Sequence, residues 1–141
     1  GSFITQQLLS IHSEVVAVVR PDANLELLRP VNSAITFRHS DVTDLPSLQQ
    51  ALAGATTVVH VAGVVSFNRA HRDRVYQVNV EGTRNVINCC LKLGVKNVIH
   101  VSSVAALGRS KESKQVDETT RWVASNLNTD YAESKHLAEL E

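Results

Sequence analysis

Four short apolar runs rich in β-branched residues constrain this chain more than anything else in it. Residues 14–19 read Glu-Val-Val-Ala-Val-Val, and comparable runs stand at 34–38, 57–61 and 97–102. Their hydrophobicity is continuous rather than alternating, which is the pattern of strands covered on both faces of a parallel sheet. Between them lie stretches with apolar residues at helical spacing, at 3–11, 24–28, 45–52, 72–93 and 130–140. Parallel strands need crossover connections, so strand alternating with helix predicts an α/β domain with a doubly wound sheet. Local signals agree: Gly94 stands where the fourth helix should stop, and Thr43 or Asp44 can cap the third, with Pro46 in its first turn. Residues 108–128 are polar and weakly periodic, and are expected to form a long surface loop with one helical turn around Trp122.

Composition narrows the function classes. At 141 residues the chain has room for one domain, and 43% hydrophobic with 20% charged residues is too apolar for a disordered chain. Fourteen basic residues balance fourteen acidic ones, so no charge excess points to nucleic acid. No apolar run approaches the roughly 18–20 residues that span a bilayer, and the N-terminus lacks a secretory pattern. A cytoplasmic location is therefore expected. Cys89 and Cys90 are adjacent, which suits neither a disulfide nor zinc, and are read as reduced core thiols. The histidines His12, His39, His60, His71, His100 and His136 fall on different elements without ligand spacing, so no metal is expected; His60 and His100 read as satisfied core residues. Arg69, His71, Arg72 and Arg74 read as a solvated face ahead of a phosphate contact.

Three features carry chemistry. Tyr131 and Lys135 stand four apart at the start of a helix, which puts phenol and ammonium on one face, where a cation can stabilise a phenolate for proton transfer. Alone, such a pair is as readily a solvated helix face. Residues 98–103 form a buried run ending in Ser102 and Ser103, at the carboxyl end of a strand where α/β sheets bind ligands; a simple serine turn is the plain alternative. A third run, 58–63, ends in the small residues Ala62 and Gly63, which allow close approach of a flat ligand or merely of a packed neighbour.

Together and in this order these residues resemble the extended short-chain dehydrogenase/reductase family, which contains nucleotide-sugar epimerases and dehydratases, dihydroflavonol reductases and 3β-hydroxysteroid dehydrogenases. Gly1 resembles the last glycine of its glycine-rich turn, Asp41-Val42 its adenine-contacting pair, and Val61-Ala62-Gly63 the end of its cofactor-wall strand. The stretch Asn79-Val80-Glu81-Gly82-Thr83-Arg84-Asn85 resembles its Asn-Val-x-Gly-Thr-x-Asn helix, and Val101-Ser102-Ser103 with Gly108 its catalytic-serine strand. The resemblance implies a Rossmann-type domain over 1–141 that lacks the first strand of its sheet and a C-terminal substrate domain. It implies Tyr131 as general acid/base, Lys135 as the cation that stabilises the tyrosinate and holds the nicotinamide ribose, and Ser103, ahead of Ser102, as hydrogen-bond donor to the reacting oxygen. Asn79 would support the site from beneath, and Gly1, Arg20, Asp41, Val42, Val61, Ala62, Gly63 and Ser102 would line the cofactor with Tyr131 and Lys135.

Cofactor choice turns on the end of the second family strand, where an acid selects NAD and an arginine suits NADP. Val19 followed by Arg20 favours NADP over NAD, unless Arg20 simply stacks on adenine. The expected activity is hydride transfer to or from a carbonyl or alcohol on a small molecule, with a homodimer left open. A nucleotide-sugar epimerase or dehydratase is the alternative, and a non-catalytic dinucleotide sensor a further one. The segments 64–67 and 102–108 look more like the reductase and hydroxysteroid branch.

Overall fold

The computed structural model describes residues 1–11, 14–109, 116–125 and 128–141. His12 and parts of the long loop lie outside the described residues. Helix α1 (Ser2–Leu9) leads to β1 (Val16–Val19), a run of 3-10 turns (Glu26–Ala34), β2 (Thr36–His39) and α2 (Leu45–Leu52). Then follow β3 (Thr57–His60), α3 (Arg72–Tyr76), α4 (Gly82–Leu93), β4 (Asn97–His100) and α5 (Asp130–Glu139).

All pairing is parallel, but in two separate pairs. Strand β1 lies beside β2 with Val16 opposite Thr36, and β3 beside β4 with Thr57 opposite Asn97 and His60 opposite His100. Parallel strands alternate with helices as in a doubly wound fold, so the predicted α/β architecture is present, in two strand pairs. Each has its own core. Leu48, Leu52, Val58, Val86, Cys89 and Cys90 interlock between α2, β3 and α4, while Ala17, Leu28 and Ile35 close the β1–β2 side. Both cysteines are free and buried, and burial pushes their thiols up.

Three local expectations change. The stretch around 24–28 is 3-10 rather than α-helical and runs on to Ala34, because Pro30 inside it cannot join an α-helical ladder. The long helix expected over 72–93 is interrupted by a π-helical segment, Gln77–Glu81. A π turn holds one residue more than an α turn and changes which face follows. Here it buries Val78, Asn79 and Val80 in succession and brings Gly82 so close to Val42 that a Cβ on Gly82 would lie 2.5 Å from Val42 Cγ2. No helical turn forms at 121–125. Instead Trp122 stacks on His136 of α5 at 4.2 Å and 5°, and lies against Gly108, whose φ of 81° only glycine adopts readily.

Caps resolve as expected or sharper. Asp44, not Thr43, caps α2 by accepting from the Ser47 amide; the Thr43 amide and hydroxyl bond to Asp41 instead. Gly94 ends α4 at φ 69°. No helix among the described residues is long and apolar enough to cross a membrane.

Candidate active site

The carboxyl ends of β3 and β4 gather most of the residues singled out by sequence. Beyond the last strand residues the ladder gains one more bond, from the Val101 amide to the His60 carbonyl at 3.0 Å, so the chain leaving β4 starts from a fixed point. Two residues later Ser103 caps the 3-10 turn Val104–Leu107, its Oγ accepting from the Ala105 amide at 3.2 Å. That bond uses a lone pair and leaves the hydroxyl proton for another acceptor.

Helix α5 packs on this end. Thr129 caps it, its Oγ1 accepting from the Ala132 amide at 3.1 Å, so Tyr131 sits in the first turn and Lys135 one turn on. The Tyr131 hydroxyl makes no hydrogen bond among the described residues, and its ring meets Phe67 edge-on at 6.1 Å. Lys135 is only 5% exposed. Its ammonium donates to the Val101 carbonyl at 2.9 Å and reaches His100 Nε2 at 3.5 Å. Burial pushes the ammonium pKa down, against an opposing pull from Glu139. The lysine is therefore seated on β4, with one N–H beyond those two contacts.

Asn79 is 1% exposed and clamps the segment that follows β3. Its Oδ1 accepts from the Val64 amide at 2.7 Å, and its Nδ2 donates to the Val64 carbonyl at 3.0 Å and to Ser134 Oγ at 2.9 Å. One side chain thus ties the π segment to the cofactor-wall loop and to α5. Asn79 acts by positioning.

Ser102 goes elsewhere: its hydroxyl donates to Glu139 Oε1 in a short bond on the His100 side of β4. Successive residues of an extended chain face opposite ways, which separates Ser102 from Ser103. The chain does not bring Gly1, Arg20 or Asp41 to the Tyr131 group by any described contact. Gly1 stands at the N-cap of α1, which has no side-chain cap, and its carbonyl accepts from the Thr5 amide at 2.9 Å. Arg20 follows β1 and pairs with Asp22 at 3.5 Å, both exposed. For Asp41, burial alone would raise the carboxyl, but the Thr43 donors and Arg74 outweigh it and hold it below the usual range. Val42 accepts at its carbonyl from Asn85 Nδ2 at 2.9 Å.

A dinucleotide fits these residues. Ala62 and Gly63 form an exposed ledge, where a Cβ on Gly63 would find only Asn79 Oδ1 at 3.4 Å, and the first turn of α1, which has no side-chain cap, offers amides and a positive dipole end to a pyrophosphate. Three of the basic residues at the start of α3 are engaged within the fold: Arg72 bonds Asp130 at 3.0 Å, Arg74 reaches Asp41 at 3.4 Å, and His71 pairs with Ser66 at 3.0 Å. Arg72 also lies over the Tyr76 ring, and burial together with Glu133, which accepts from the Tyr76 hydroxyl at 2.9 Å, pushes that phenol up to about 12.

Several partners escaped the sequence reading. Asp22 stands two residues from Arg20 and was legible as its ion-pair partner. Thr83 as the partner of His60 at 3.0 Å, Glu139 as that of Ser102, and His100 as a neighbour of Lys135 needed the packing of α4 and α5 on the sheet. His60 is satisfied as expected, whereas His100 is only partly buried and its buried Nδ1 has no partner among the described residues.

Comparison with known proteins places this arrangement. The 3-beta hydroxysteroid dehydrogenase/isomerase family matches residues 1–140. The human 3 beta-hydroxysteroid dehydrogenase type 7 is 35% identical over 119 residues, covering 82% of this chain and 32% of its own. Sterol demethylase protein B of Methylococcus capsulatus is 28% identical over 141 residues, covering 99% of this chain and 42% of its own. Among solved structures, DesIV, a dTDP-glucose 4,6-dehydratase from Streptomyces venezuelae with NAD and TYD bound, superposes with a TM-score of 0.86 at 28% identity, over 99% of this chain and 46% of that one. The chain spans less than half the length of these relatives. With its Rossmann-type α/β fold and these matches, it belongs to the 3-beta hydroxysteroid dehydrogenase/isomerase family of extended short-chain dehydrogenases/reductases.

Proposed function

We propose that this chain provides the dinucleotide-binding and proton-transfer part of an oxidoreductase acting on a carbonyl or alcohol, with Tyr131 as the acid/base. The supporting observation is the seat of Lys135: a buried ammonium fixed to the Val101 carbonyl, one helical turn from Tyr131 and two residues from Ser103. Holding a cation out of water costs several kcal/mol by order of magnitude, and a merely solvated helix face would let it out. When bound, the nicotinamide dinucleotide gives or takes the hydride.

The chain's own residues do the rest. In reduction Tyr131 gives its phenolic proton to the substrate oxygen, and in oxidation it takes that proton back. Ser103, its lone pair committed to Ala105, donates its own proton to the same oxygen. Lys135 keeps its remaining N–H for the phenolate or a ribose hydroxyl. The first turn of α1, the Ala62–Gly63 ledge and Val42 hold the dinucleotide, and Arg20 meets a 2′-phosphate, so NADP is preferred to NAD.

A second reading, a nucleotide-sugar dehydratase or epimerase, draws support from the superposition on DesIV. It uses the same residues but regenerates the cofactor in each cycle, so net consumption of NAD(P) in turnover separates the two.

Tyr131→Phe in the full-length protein is expected to remove most turnover, by about two to four orders of magnitude, the usual range for one acid/base. Dinucleotide affinity should stay near that of the wild type. Turnover at the wild-type rate in Tyr131→Phe would overturn the assignment.

A further inference from the structure

The last residues of β3 and β4 are both histidines, and their rings lie opposite each other with centroids 5.2 Å apart. Their partners differ, and the partners fix where each carries its proton. Thr83 Oγ1 donates to the Asn79 carbonyl at 2.6 Å; its single proton is used there, so toward His60 Nε2 at 3.0 Å it can only accept. His60 therefore carries its proton on Nε2. An ammonium has only protons to give, so His100 Nε2, 3.5 Å from Lys135 Nζ, must offer its lone pair and carry the ring proton on Nδ1. Nδ1 of His100 is buried without a partner among the described residues, so no competing bond there selects the other tautomer.

We propose that His100 is a positioning residue for Lys135: with the Val101 carbonyl it takes two of the three ammonium protons and so fixes the direction of the third. The seat is read from this chain alone; that the third proton serves the phenolate or a cofactor hydroxyl rests on the function proposed above.

The surroundings suit a neutral acceptor. The groups around His100 are His60 on β3, Lys135 and Glu139 on α5, the Ser102 hydroxyl engaged with Glu139, and Glu141, which lines the same cavity and is paired with Arg84 of α4. Burial and the Lys135 ammonium push His100 below its ordinary value, with Glu139 pulling the other way. Burial, His100 and Lys135 push His60 down to about 4. At neutral pH both rings are uncharged. In acid, protonation of His100 removes the acceptor and sets a second cation against Nζ, so the lysine leaves its seat.

Nitrogen-15 NMR of the histidines in the full-length protein without cofactor tests this directly. His100 should be neutral at pH 7 with its proton on Nδ1, and should titrate below 6.5; Lys135→Met should raise that titration and release the tautomer. Calorimetry with NADPH and NADH supplies the second readout. His100→Phe, which keeps a ring against His60 but has no acceptor, should weaken dinucleotide binding about tenfold, while His100→Gln, whose amide oxygen can accept, should stay within about threefold. An unchanged His60 Nε2–H signal shows that each variant is folded. His100 protonated on Nε2, a titration unmoved by Lys135→Met, or wild-type affinity in folded His100→Phe would each overturn the proposal. Wild-type turnover in Tyr131→Phe with these results intact would remove the acid/base reading and leave the lysine seat standing.

Discussion

At the scale of single residues, small changes in contact decide large differences in role. Gly82 is a glycine with ordinary helical dihedrals; it is required because Val42 occupies the space of its Cβ. Arg20 is exposed and shares its charge with Asp22, so a ligand phosphate must compete with a carboxylate at 3.5 Å. We expect NADPH to bind more tightly than NADH, and Arg20→Ala to shrink that gap by roughly 1–3 kcal/mol, the scale of a charge-assisted hydrogen bond. Titration of both cofactors checks it; equal affinities or a preference for NADH would count against Arg20. His60 makes a pH prediction. Its folded pKa of about 4 lies below the ordinary 6.5, so between these values the unfolded chain binds more protons than the folded one. The stabilisation is complete above about pH 6.5 and is lost as pH falls toward 4, by about 3 kcal/mol. Thermal melts of the full-length protein from pH 7 to 4 should show this slope, and His60→Gln should flatten it.

At the scale of elements, α5 is where stability and chemistry meet. Its amphipathic signal is weak, yet Ala132, Ser134, Lys135 and Ala138 are buried, because the face it turns inward is made of small and polar residues. Such a helix depends on its cap. Thr129→Ala removes the bond to the Ala132 amide and should cost about 1 kcal/mol, the usual value of an N-cap, with faster amide exchange confined to the first turn of α5. Exchange protection unchanged at Ala132 and Glu133 would refute it. The π segment between α3 and α4 has the complementary role: it lets Asn79 reach Val64 and Ser134 at once, which joins the loop after β3 to α5 without any strand between them.

At the scale of the whole molecule, the two parallel pairs carry separate apolar clusters, tied together by polar bonds such as Arg38 to the Ala51 and Ala53 carbonyls. Among the described residues every strand is four residues long and pairs on one side only. Two-stranded sheets are marginal in water, and apolar side chains on β4 stay uncovered, Ile99 at 54% exposure and Val98 at 37%. Burial of apolar area contributes about 25 cal/mol per Å², while a domain is stable by only about 5–15 kcal/mol, so faces left open at this scale decide the balance. Residues 1–141 produced alone should show no cooperative thermal transition and no detectable dinucleotide binding, whereas the full-length protein should show both. A sharp calorimetric transition with cofactor-dependent stabilisation in the short chain would refute this.

Sequence alone determined what depends on local periodicity and local backbone chemistry. The four β-branched runs became the four strands within two residues at either end, Gly94 stopped α4, Pro46 and Asp44 opened α2, and the tyrosine and lysine spacing placed both on α5. The resemblance carried by short motifs identified the family, because several weak patterns in fixed order are jointly specific. The tertiary structure alone decided what depends on which surfaces meet. A single apolar period over 72–93 could not reveal a π segment, since the extra residue is stabilised by Val42, Val64 and Ser134, which lie on other elements. The turn toward Trp122 gave way to stacking on His136, and Ser102 parted from Ser103 once Glu139 arrived beside it. Periodicity reports how a segment divides between water and core; the partner of a buried polar group is set by packing between segments far apart in the chain, and for Lys135 that packing supplied Val101 and His100.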